Sequence, residues 1–527
     1  MSVTGNVRRA VAVALAVVLA MTVASQAGAG TVVKPRQPNV IFFLVDDLSA
    51  ELLQYMDAVS GLARDGTTFS NYYVSNSLCC PSRASMFTGQ FPHNTGVETN
   101  KGSDGGGYRA FEKHEGRTYA AALDQAGYRT GYLGKYINEY PLNADYRVPV
   151  GWDEWHVAGG GGYSEFKYQL TRYVKEESAG EKPIDPSDGT YLVDELGQRA
   201  VDFIERSRRH APGEPFFLQV SPFAPHSRID AKPGEKEPRF PPARRDRPKD
   251  QFPAGEFPHG DCGGPDCATI DVAALPAFDE DTADKPAWVR REPLGPQLVK
   301  ELRQDFRDRI RMVQSVDDMV ERVLGTLSDA ERRSTYVVFT SDNGFHLGQH
   351  RLLRGKSTAY DHDVRVPLLV KRPAAGRHGD LVSEAIVQNV DLFATFLDLA
   401  GVRNAGDRDG RSLVPLVQGR KVGQWRQAAL IEHVRPDPAA PGEPDPDAEE
   451  MQAGMPGYAA VRTAGELYVE YEGVEQPEYY DTVRDPHQES NDPGNARTAE
   501  LAKVLDRLRG CGQPGAEDCW RAASHLR

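Results

Sequence analysis

The sequence predicts an α/β protein built on a large, mostly parallel sheet, followed by a smaller α+β region with an antiparallel sheet. Three observations lead to this prediction. Several nearly continuous apolar runs end abruptly in polar residues, as parallel strands that are buried on both faces do. Segments with helical spacing of apolar residues separate these runs. After about residue 420 the predicted strands become short and closely spaced.

The elements follow in chain order. Predicted core strands combine an apolar body with a polar end, and they are NVIFFLVDD (39–47), YRTGYLGK (128–135), PFFLQVSPFAPH (215–226) and TYVVFTSDN (335–343). Helices are predicted between them at 118–127, 191–209 and 297–327. Toward the C-terminus, short strands are predicted within 428–434, 458–473 and 477–485, with a helix over 496–510.

These elements predict a large catalytic domain over residues 37–420 and an α+β subdomain over 421–527. Residues 228–296 are dense in proline, glycine and charge and read as a long surface insertion, of a kind that either shapes a binding site or has no role. Residues 435–457 read as a loop rich in proline and acidic residues.

The N-terminus predicts export. Arg8 and Arg9 precede an apolar run that is too short to span a membrane comfortably, and small residues follow, so residues 1–29 read as a secretory signal peptide. An uncleaved anchor is the alternative, and the paired arginines hint at twin-arginine export. The formal net charge of −14 argues against a nucleic-acid partner, since phosphates are bound by clustered cations. We expect a secreted protein with no membrane partner.

An exported protein can keep disulfides, and the chain has six cysteines. Two pairs each close a short turn-rich loop, Cys262 with Cys267 and Cys511 with Cys519, so two local bridges are predicted. Cys79 and Cys80 are left over. A bridge between sequence neighbours would be strained, so at least one of them has another purpose.

Polar residues at the strand ends predict a ligand site, because ligands bind beyond the carboxyl ends of parallel strands. Asp46 with Asp47 could be a helix cap, and Asp342 with Asn343 could be a turn. Together, however, they offer three carboxylates and one amide oxygen, which favour Ca²⁺, or less readily Mg²⁺, over zinc. By contrast, Asp317-Asp318 lies within a helical pattern and is expected to be a solvated face.

The segment NSLCCPSRASMFTG (76–89) predicts an anion site. Pro81 suits the first turn of a helix, which places Cys79 at the helix N-terminus, where free N–H groups attract anions. Arg83 adds a fixed positive charge, and Lys135 and Lys356 could add more. This combination suits hydrolysis of a charged ester, either a sulfate or a phosphate.

At this point the motifs resemble those of type I sulfatases. The run Cys79-Cys80-Pro81-Ser82-Arg83 resembles their C-x-P-S-R signature, and AGYRTGYLGKY (126–136) resembles their second signature. Further segments match in order, namely FFLVDD, SPFAPHS, FTSDNG, DGRSLVPLVQG and EYYDTVRDPHQESND, so that the resemblance spans roughly residues 37–520. The double cysteine, GKYINEY and PAFDEDTADKPAWVR are most similar to the N-acetylglucosamine-6-sulfatase and extracellular endosulfatase branch.

The resemblance implies an alkaline-phosphatase-like fold and a chemistry for Cys79. A formylglycine-generating enzyme would oxidise Cys79 to Cα-formylglycine (3-oxoalanine), whose aldehyde is hydrated to a gem-diol. One hydroxyl attacks sulfur and the alcohol leaves. The second hydroxyl then loses its proton and sulfate is expelled as the aldehyde re-forms. The substrate would be an aryl sulfate or a sulfated carbohydrate such as a glucosamine 6-sulfate.

The resemblance also assigns roles. The calcium ligands would be Asp46, Asp47, Asp342, Asn343 and the modified Cys79. The residues that hold the formylglycine and its oxygens would be Arg83 and Lys135, and those that bind the sulfate would be His226 and Lys356, with His226 as the acid for the leaving alcohol. Many sulfatases carry a histidine two residues after the second-signature lysine. Here a tyrosine, an isoleucine and then Asn138 follow Lys135, so either Asn138 takes that polar role or it is vacant.

Other histidines and other functions remain open. His93 is expected to pack or cap a turn, whereas His346 and His350 could line the pocket. A phosphonate or phosphate-ester hydrolase of the same superfamily is the alternative activity, since the same constellation can cleave P–O bonds. A catalytically idle carbohydrate-binding relative is a third hypothesis, against which the complete set of motif residues argues.

Overall fold

The computed structural model describes residues 37–526 apart from 103–104, 144–145, 179–182, 233–234, 248–261, 374–380, 404–407, 436–453 and 516. The predicted signal peptide and most of the predicted loop 435–457 therefore lie outside the described residues. From Pro38 onward the chain forms one compact unit. The domain boundary at residue 420 stays a prediction.

Nineteen strands are found in the described chain. They are β1 Asn39–Val45, β2 Thr67–Phe69, β3 Tyr72–Tyr73, β4 Arg129–Gly134, β5 Glu154–Val157, β6 Gln169–Thr171, β7 Tyr173–Val174, β8 Ile184–Pro186, β9 Phe216–Ser221, β10 Thr335–Ser341, β11 His346–Leu347, β12 Arg354–Gly355, β13 Leu368–Lys371, β14 Leu381–Ser383, β15 Val387–Gln388, β16 Ala429–His433, β17 Tyr458–Arg462, β18 Glu466–Tyr471 and β19 Glu478–Asp481.

Helices cover the strands and connect them. The α-helices are α1 Asp57–Asp65, α2 Cys79–Thr88, α3 Pro92–Thr95, α4 Gly107–Phe111, α5 Tyr119–Gln125, α6 Leu192–His210, α7 Pro296–Thr326, α8 Asp329–Arg332, α9 Asp361–Val364, α10 Asp391–Leu399, α11 Val414–Val417, α12 Thr498–Arg509 and α13 Cys519–Ala523. Short 3-10 helices are also present, at Ala50–Tyr55, Glu112–Arg117, Gly160–Ser164, Arg244–Asp246, Cys267–Thr269 and Val272–Ala274.

The main sheet has nine strands in the order β14-β2-β13-β10-β1-β9-β4-β5-β7. The five central strands, from β10 to β5, are all parallel, while β13 and β7 run antiparallel to their inner neighbours. The mostly parallel sheet is therefore confirmed, and the four predicted core strands β1, β4, β9 and β10 lie side by side at its centre.

Both faces of the sheet are buried, which explains the continuous apolar runs. In β1, alternate residues Val40, Phe42 and Leu44 join one apolar cluster, packed with residues of α2, α5 and α10. The intervening residues Ile41, Phe43 and Val45 join a second cluster with α1, α6 and α7. Because successive side chains of a strand point to opposite faces, a strand covered on both faces has to be apolar throughout.

The C-terminal strands β16 to β19 form the predicted antiparallel sheet, in sequence order. One face of β16 contributes Ala429 and Ile431 to the main core, while Ala428 and Leu430 meet α12 on the other side. Both predicted disulfides, Cys262–Cys267 and Cys511–Cys519, are present.

Two expectations about the surface are wrong. Asp317 is not a solvated residue, because its carboxylate oxygens accept hydrogen bonds of 2.9 Å from the N–H groups of Ala58 and Val59 at the start of α1. Its neighbour Asp318 pairs with Arg245. Nor is the insertion 228–296 a surface loop throughout. It buries apolar and charged side chains alike, at Phe240, Val272, Lys285 and Val289.

Strand register assembles the site. In the parallel pairs, Val45 lies opposite Ser341 and Gly134 opposite Ser221. The next residues along β1, β10 and β4, which are Asp46, Asp342 and Lys135, therefore leave the sheet at the same edge.

Candidate active site

Three carboxylates form the floor of the site. Asp46, Asp47 and Asp342 are fully buried, and the backbone N–H of Asp47 donates to Asp342 Oδ1 at 3.2 Å. Asp47 has a left-handed backbone with a φ of 56°, which a non-glycine residue keeps only when its surroundings impose it. Arg309 contributes to that constraint, because its Nη2 donates to the Asp47 carbonyl at 2.6 Å.

Each carboxylate has a cationic partner. Lys135 Nζ lies 2.7 Å from Asp46 Oδ2, Arg83 Nε lies 2.7 Å from Asp342 Oδ2, and Lys356 Nζ lies 2.8 Å from Asp47 Oδ1. Three negative side chains thus meet three positive ones in a volume without exposed surface. Pairing of this kind is required, since an isolated buried charge costs several kcal/mol or more.

The carboxylates differ in pKa because their surroundings differ in charge. Burial raises the pKa of Asp46 to about 6, although Lys135 opposes this effect. Burial acts on Asp342 in the same direction, but the Arg83 guanidinium, followed by the two lysines, outweighs it and lowers the pKa of Asp342 to about 2. Burial also raises the pKa of the Cys79 thiol, with the two lysines again opposing.

Cys79 is the first residue of α2, after Leu78 at the N-cap. Its Sγ lies 3.0 Å from Lys356 Nζ, 3.5 Å from Asp46 Oδ1 and 3.9 Å from Asp47 Oδ1. The predicted helix is confirmed, and it ends at Gly89, which has the left-handed backbone that favours glycine there. Cys79 thus lies between the helix N-terminus and the floor of the site.

His226 faces the same point from the end of β9. Its Nδ1 contacts the Ser227 carbonyl at 2.8 Å, a contact that requires the proton on Nδ1 because a carbonyl only accepts. Its Nε2 lies 3.1 Å from Lys356 Nζ and 3.5 Å from Asp47 Oδ2. The ring is therefore oriented with Nε2 toward Lys356 and the carboxylate floor.

Asn138 contacts an aromatic residue that packs on the site. Its Nδ2 approaches the Tyr163 hydroxyl at 3.4 Å, and the Tyr163 ring packs 4.6 Å from the His226 ring, centroid to centroid. Lys135 Nζ lies 5.0 Å from the same ring centroid, within cation–π range. Tyr163 therefore contacts Asn138 as well as two residues of the charged cluster.

The donor set fits a hard cation. Asp46, Asp47 and Asp342 supply carboxylate oxygens, and Asn343 adds an amide whose Nδ2 donates to Asp47 Oδ1 at 2.6 Å. Asn343 Oδ1 is buried without a hydrogen-bond partner among the described residues. Buried polar atoms are rarely left unsatisfied, and an oxygen of this kind beside three carboxylates suits an oxygen-seeking metal.

The remaining predicted residues have structural contacts. Cys80 packs in the main apolar core and forms no disulfide. His93 packs as expected, since its ring stacks on Phe91, and it also pairs with Glu432 at 2.9 Å. His346 and His350 are buried. His346 pairs with Asp363 and His350 with Glu280.

Sequence reasoning missed the side chains that support the site. Tyr163 lies in a glycine-rich stretch, and Arg309 lies in the middle of α7. Asn389 donates to the carbonyl and hydroxyl oxygens of Ser82 at 3.2 and 3.1 Å. None of these residues shows a local sequence signal, because their contacts join segments far apart in the chain.

Known proteins share this sequence pattern. The chain matches the sulfatase family over residues 38–402 and the C-terminal region of N-sulphoglucosamine sulphohydrolase over residues 348–509. It is 32% identical to the N-acetylglucosamine-6-sulfatase of Capra hircus, across 91% of this chain and 84% of the relative. It is 34% identical to an extracellular sulfatase SULF-1 homolog of Drosophila melanogaster, across 76% of this chain but only 33% of that longer protein.

A solved structure shares the fold. It is a protein in complex with its substrate D-glucosamine-2-N,6-O-disulfate. The comparison gives a TM-score of 0.64 and 23% identity, and the alignment covers 90% of this chain and 97% of that one.

Among the described residues, no helix combines the length and apolar character needed to cross a membrane. With two thirds of its length matched by the family, this chain belongs to the sulfatases and is a sulfuric ester hydrolase.

Proposed function

We propose that this chain is a secreted sulfatase that hydrolyses a sulfate ester on a sulfated sugar such as glucosamine 6-sulfate, with Cys79 oxidised to Cα-formylglycine during export. One observation carries the proposal. Residue 79 is the first residue of α2, and the Lys356 ammonium lies 3.0 Å from its side chain. Positive charge on two sides of one nucleophilic position suits attack on an anionic ester.

The nucleophile would be a hydroxyl of the hydrated aldehyde at residue 79. Hydration gives this residue two hydroxyl groups, of which one attacks sulfur and the other later loses its proton, so that sulfate leaves and the aldehyde re-forms. Lys356 and Lys135 would hold the charged sulfate oxygens close to residue 79. Arg83 would keep Asp342 ionised and in place, as its 2.7 Å contact supports.

A metal would be held by Asp46, Asp47, Asp342 and Asn343, and Ca²⁺ suits this all-oxygen set better than Mg²⁺, which demands stricter geometry. When bound, the cation would supply positive charge that promotes ionisation of the nucleophile and stabilises the sulfate oxygens. Lys356 and Lys135 already neutralise two of the carboxylates.

The leaving alcohol requires a proton, and His226 is placed to give one. Since its Nδ1 is engaged by the Ser227 carbonyl, the exchangeable proton is the one on Nε2, which faces Lys356. A sugar alkoxide is a poor leaving group, so protonation at Nε2 would contribute most for sugar sulfates. Asn138 would bind substrate only indirectly, through Tyr163.

The sugar class is supported by the relatives. The Capra hircus relative is named for N-acetylglucosamine 6-sulfate, and a second match is to a sulphohydrolase of N-sulphoglucosamine. The Drosophila melanogaster relative is named as extracellular, in keeping with a secreted enzyme.

Two measurements test the proposal. Mass spectrometry of the peptide that contains Cys79, from enzyme exported by its natural host, should show –CHO in place of –CH₂SH. Sulfate release should be measured on glucosamine 6-sulfate and an aryl sulfate, beside phosphate mono- and diesters. Unmodified thiol in fully active enzyme would refute the mechanism, and a clear preference for phosphodiesters would favour the phosphonate or phosphate-ester hydrolase instead.

Matched variants complete the test. Cys79→Ala should abolish turnover, whereas Cys80→Ala should keep it, because Cys80 packs in the apolar core. Saccharide binding with no hydrolysis by the converted enzyme would support the idle carbohydrate-binding hypothesis.

A further inference from the structure

A second group of potential metal ligands lies apart from the active-site floor. His346 forms part of β11, and His362 and Asp363 lie in α9. The rings of His346 and His362 are 5.5 Å apart between centroids and are inclined at 75°. None of these three side chains is among the carboxylates, cations and histidine that surround Cys79.

The three side chains converge closely. Asp363 Oδ1 lies 2.9 Å from His346 Nδ1 and 3.9 Å from His362 Nε2, and one ligand atom from each residue falls within 4.8 Å of the other two. Tetrahedral zinc with bonds of about 2.0 to 2.1 Å places its ligand atoms roughly 3.3 Å apart. Movements of about 1 Å would therefore bring the three atoms to bonding distance.

Two ring nitrogens of this group lack a hydrogen-bond partner in the described part of the chain. His362 Nε2 and His346 Nε2 are buried with no hydrogen-bond partner among the described residues. Buried polar atoms usually have a partner, and an ion beside Asp363 would provide one for His362 Nε2.

The carboxylate is held in place from behind. Asp363 Oδ2 accepts from the backbone N–H of Thr358 at 3.0 Å and from its hydroxyl at 2.6 Å. Metal-binding carboxylates and histidines commonly have such outer hydrogen bonds, which orient them toward the ion. Asp363 is thus oriented toward the two histidines before any ion binds.

We propose that His346, His362 and Asp363 form a binding site for a transition-metal ion, with zinc as the best match. Two imidazole nitrogens with one carboxylate oxygen form a mixed donor set that suits zinc, whereas calcium and magnesium prefer oxygen alone. The proposal does not depend on formylglycine or on the sugar substrate.

His362 borders a cavity beside this site. His362 retains 12% exposure of its side chain and lines a cavity of about 500 Å³ together with Gln349 and Gln488. The cavity leaves room for water as a fourth ligand, which a site with three protein ligands requires.

One short segment of the chain connects the proposed metal site to the active site. Thr358, which holds Asp363, lies two residues after Lys356, and its carbonyl accepts from the Ser77 hydroxyl at 2.7 Å. An ion that draws Asp363 toward the histidines would stiffen this segment, so zinc should raise the melting temperature.

Zinc stoichiometry tests the proposal. The full-length enzyme, stripped with a chelator and re-equilibrated with Zn²⁺ in the presence of excess Ca²⁺, should retain one zinc equivalent more than His362→Phe does, as measured by elemental analysis. The phenyl ring keeps the packing of His362 while removing its nitrogens. His433→Phe is the matched control, since both His433 nitrogens are also buried without a partner among the described residues, but its ring stacks on Tyr458.

The outcomes are distinct. Equal zinc content in the parent enzyme and His362→Phe would overturn the proposal. If His362→Phe fails to fold, crystals of the parent soaked in Zn²⁺ decide, because an anomalous peak between His346, His362 and Asp363 is required and its absence would refute the site. Zinc binding there with no sulfatase activity would leave this inference standing while the proposed function failed.

Discussion

The ammonium nitrogen of Lys356 lies 3.0 Å from the sulfur of Cys79 and 2.8 Å from Asp47 Oδ1, across sequence separations of 277 and 309 residues. One cation thus pairs with a carboxylate of the floor and faces residue 79, the proposed nucleophilic position. Replacement of Lys356 should therefore affect both stability and catalysis.

Lys356→Met should lower kcat/KM for a sulfate ester by about 10²-fold or more, since removal of one preorganised charge-stabilising group costs about 3 kcal/mol in the transition state. It should also lower stability by about 3 to 5 kcal/mol, because Asp47 loses its cation in a buried site. Steady-state kinetics and thermal unfolding check both effects. Lys371→Met is the control, since Lys371 pairs with the exposed Asp65 at the surface. An unchanged kcat/KM would contradict the role of Lys356.

His226→Gln should slow hydrolysis of a sugar sulfate by about 10²- to 10⁴-fold, the usual contribution of a general acid. The rate of aryl sulfate hydrolysis should fall much less, because a phenolate leaves without protonation. The ratio of the two rates therefore separates proton donation from a general loss of structure. Equal losses of rate on the two substrates would show that His226 binds sulfate but donates no proton. As a control, His525→Gln, which changes an exposed histidine, should leave both rates unchanged.

Removal of the metal should abolish activity and lower the melting temperature, since a cation that binds only the folded state stabilises it by mass action. Calcium should restore both better than magnesium. Asn343→Ala should raise the calcium concentration needed for half-maximal recovery, because it deletes the oxygen that lacks a partner. The surface variant Asn495→Ala should match the parent enzyme. Full activity after exhaustive chelation would rule out the metal requirement.

The His93–Glu432 pair should make stability fall at alkaline pH. Burial lowers the pKa of His93, but the hydrogen bond and charge of Glu432 outweigh this effect and raise it to about 9. Because the pKa of His93 is higher in the folded state than in the unfolded state, the pair stabilises the fold fully below the unfolded pKa of about 6.5. This contribution, up to about 3 kcal/mol of unfolding free energy, is lost as pH rises toward about 9.

Thermal unfolding of the parent and of His93→Gln at pH 6 and pH 9.5 checks this dependence. The difference between the two proteins should be large at pH 6 and small at pH 9.5. Glu432→Gln should behave like His93→Gln, since it removes the other half of the pair. A difference that stays constant with pH would show that His93 is not charged in the folded state.

Prediction from the sequence succeeded where local patterns carry the information. Continuous apolar runs identified β1, β4, β9 and β10, because a strand buried on both faces cannot alternate. The helix that starts at Cys79 followed from Pro81 and Gly89. Cysteine spacing predicted both disulfides.

It failed where burial depends on a distant partner. Asp317 looked like a solvated residue of an amphipathic helix, and only the packing of α1 across α7 shows that it caps two N–H groups. The place of Tyr163 beside the site could not be predicted, because it depends on contacts with His226 and Lys135, which are distant in the chain.

The sequence by itself determined the strands, the first helix of the site and the residue types at each strand end, since these depend on neighbours in the chain. Only the tertiary structure decided which cation pairs with which carboxylate, that His226 presents Nε2 to Lys356, and that Asn138 contacts Tyr163. The physical reason is that strand register and helix packing set distances between segments up to about 300 residues apart, and charge pairing in a buried site depends on those distances.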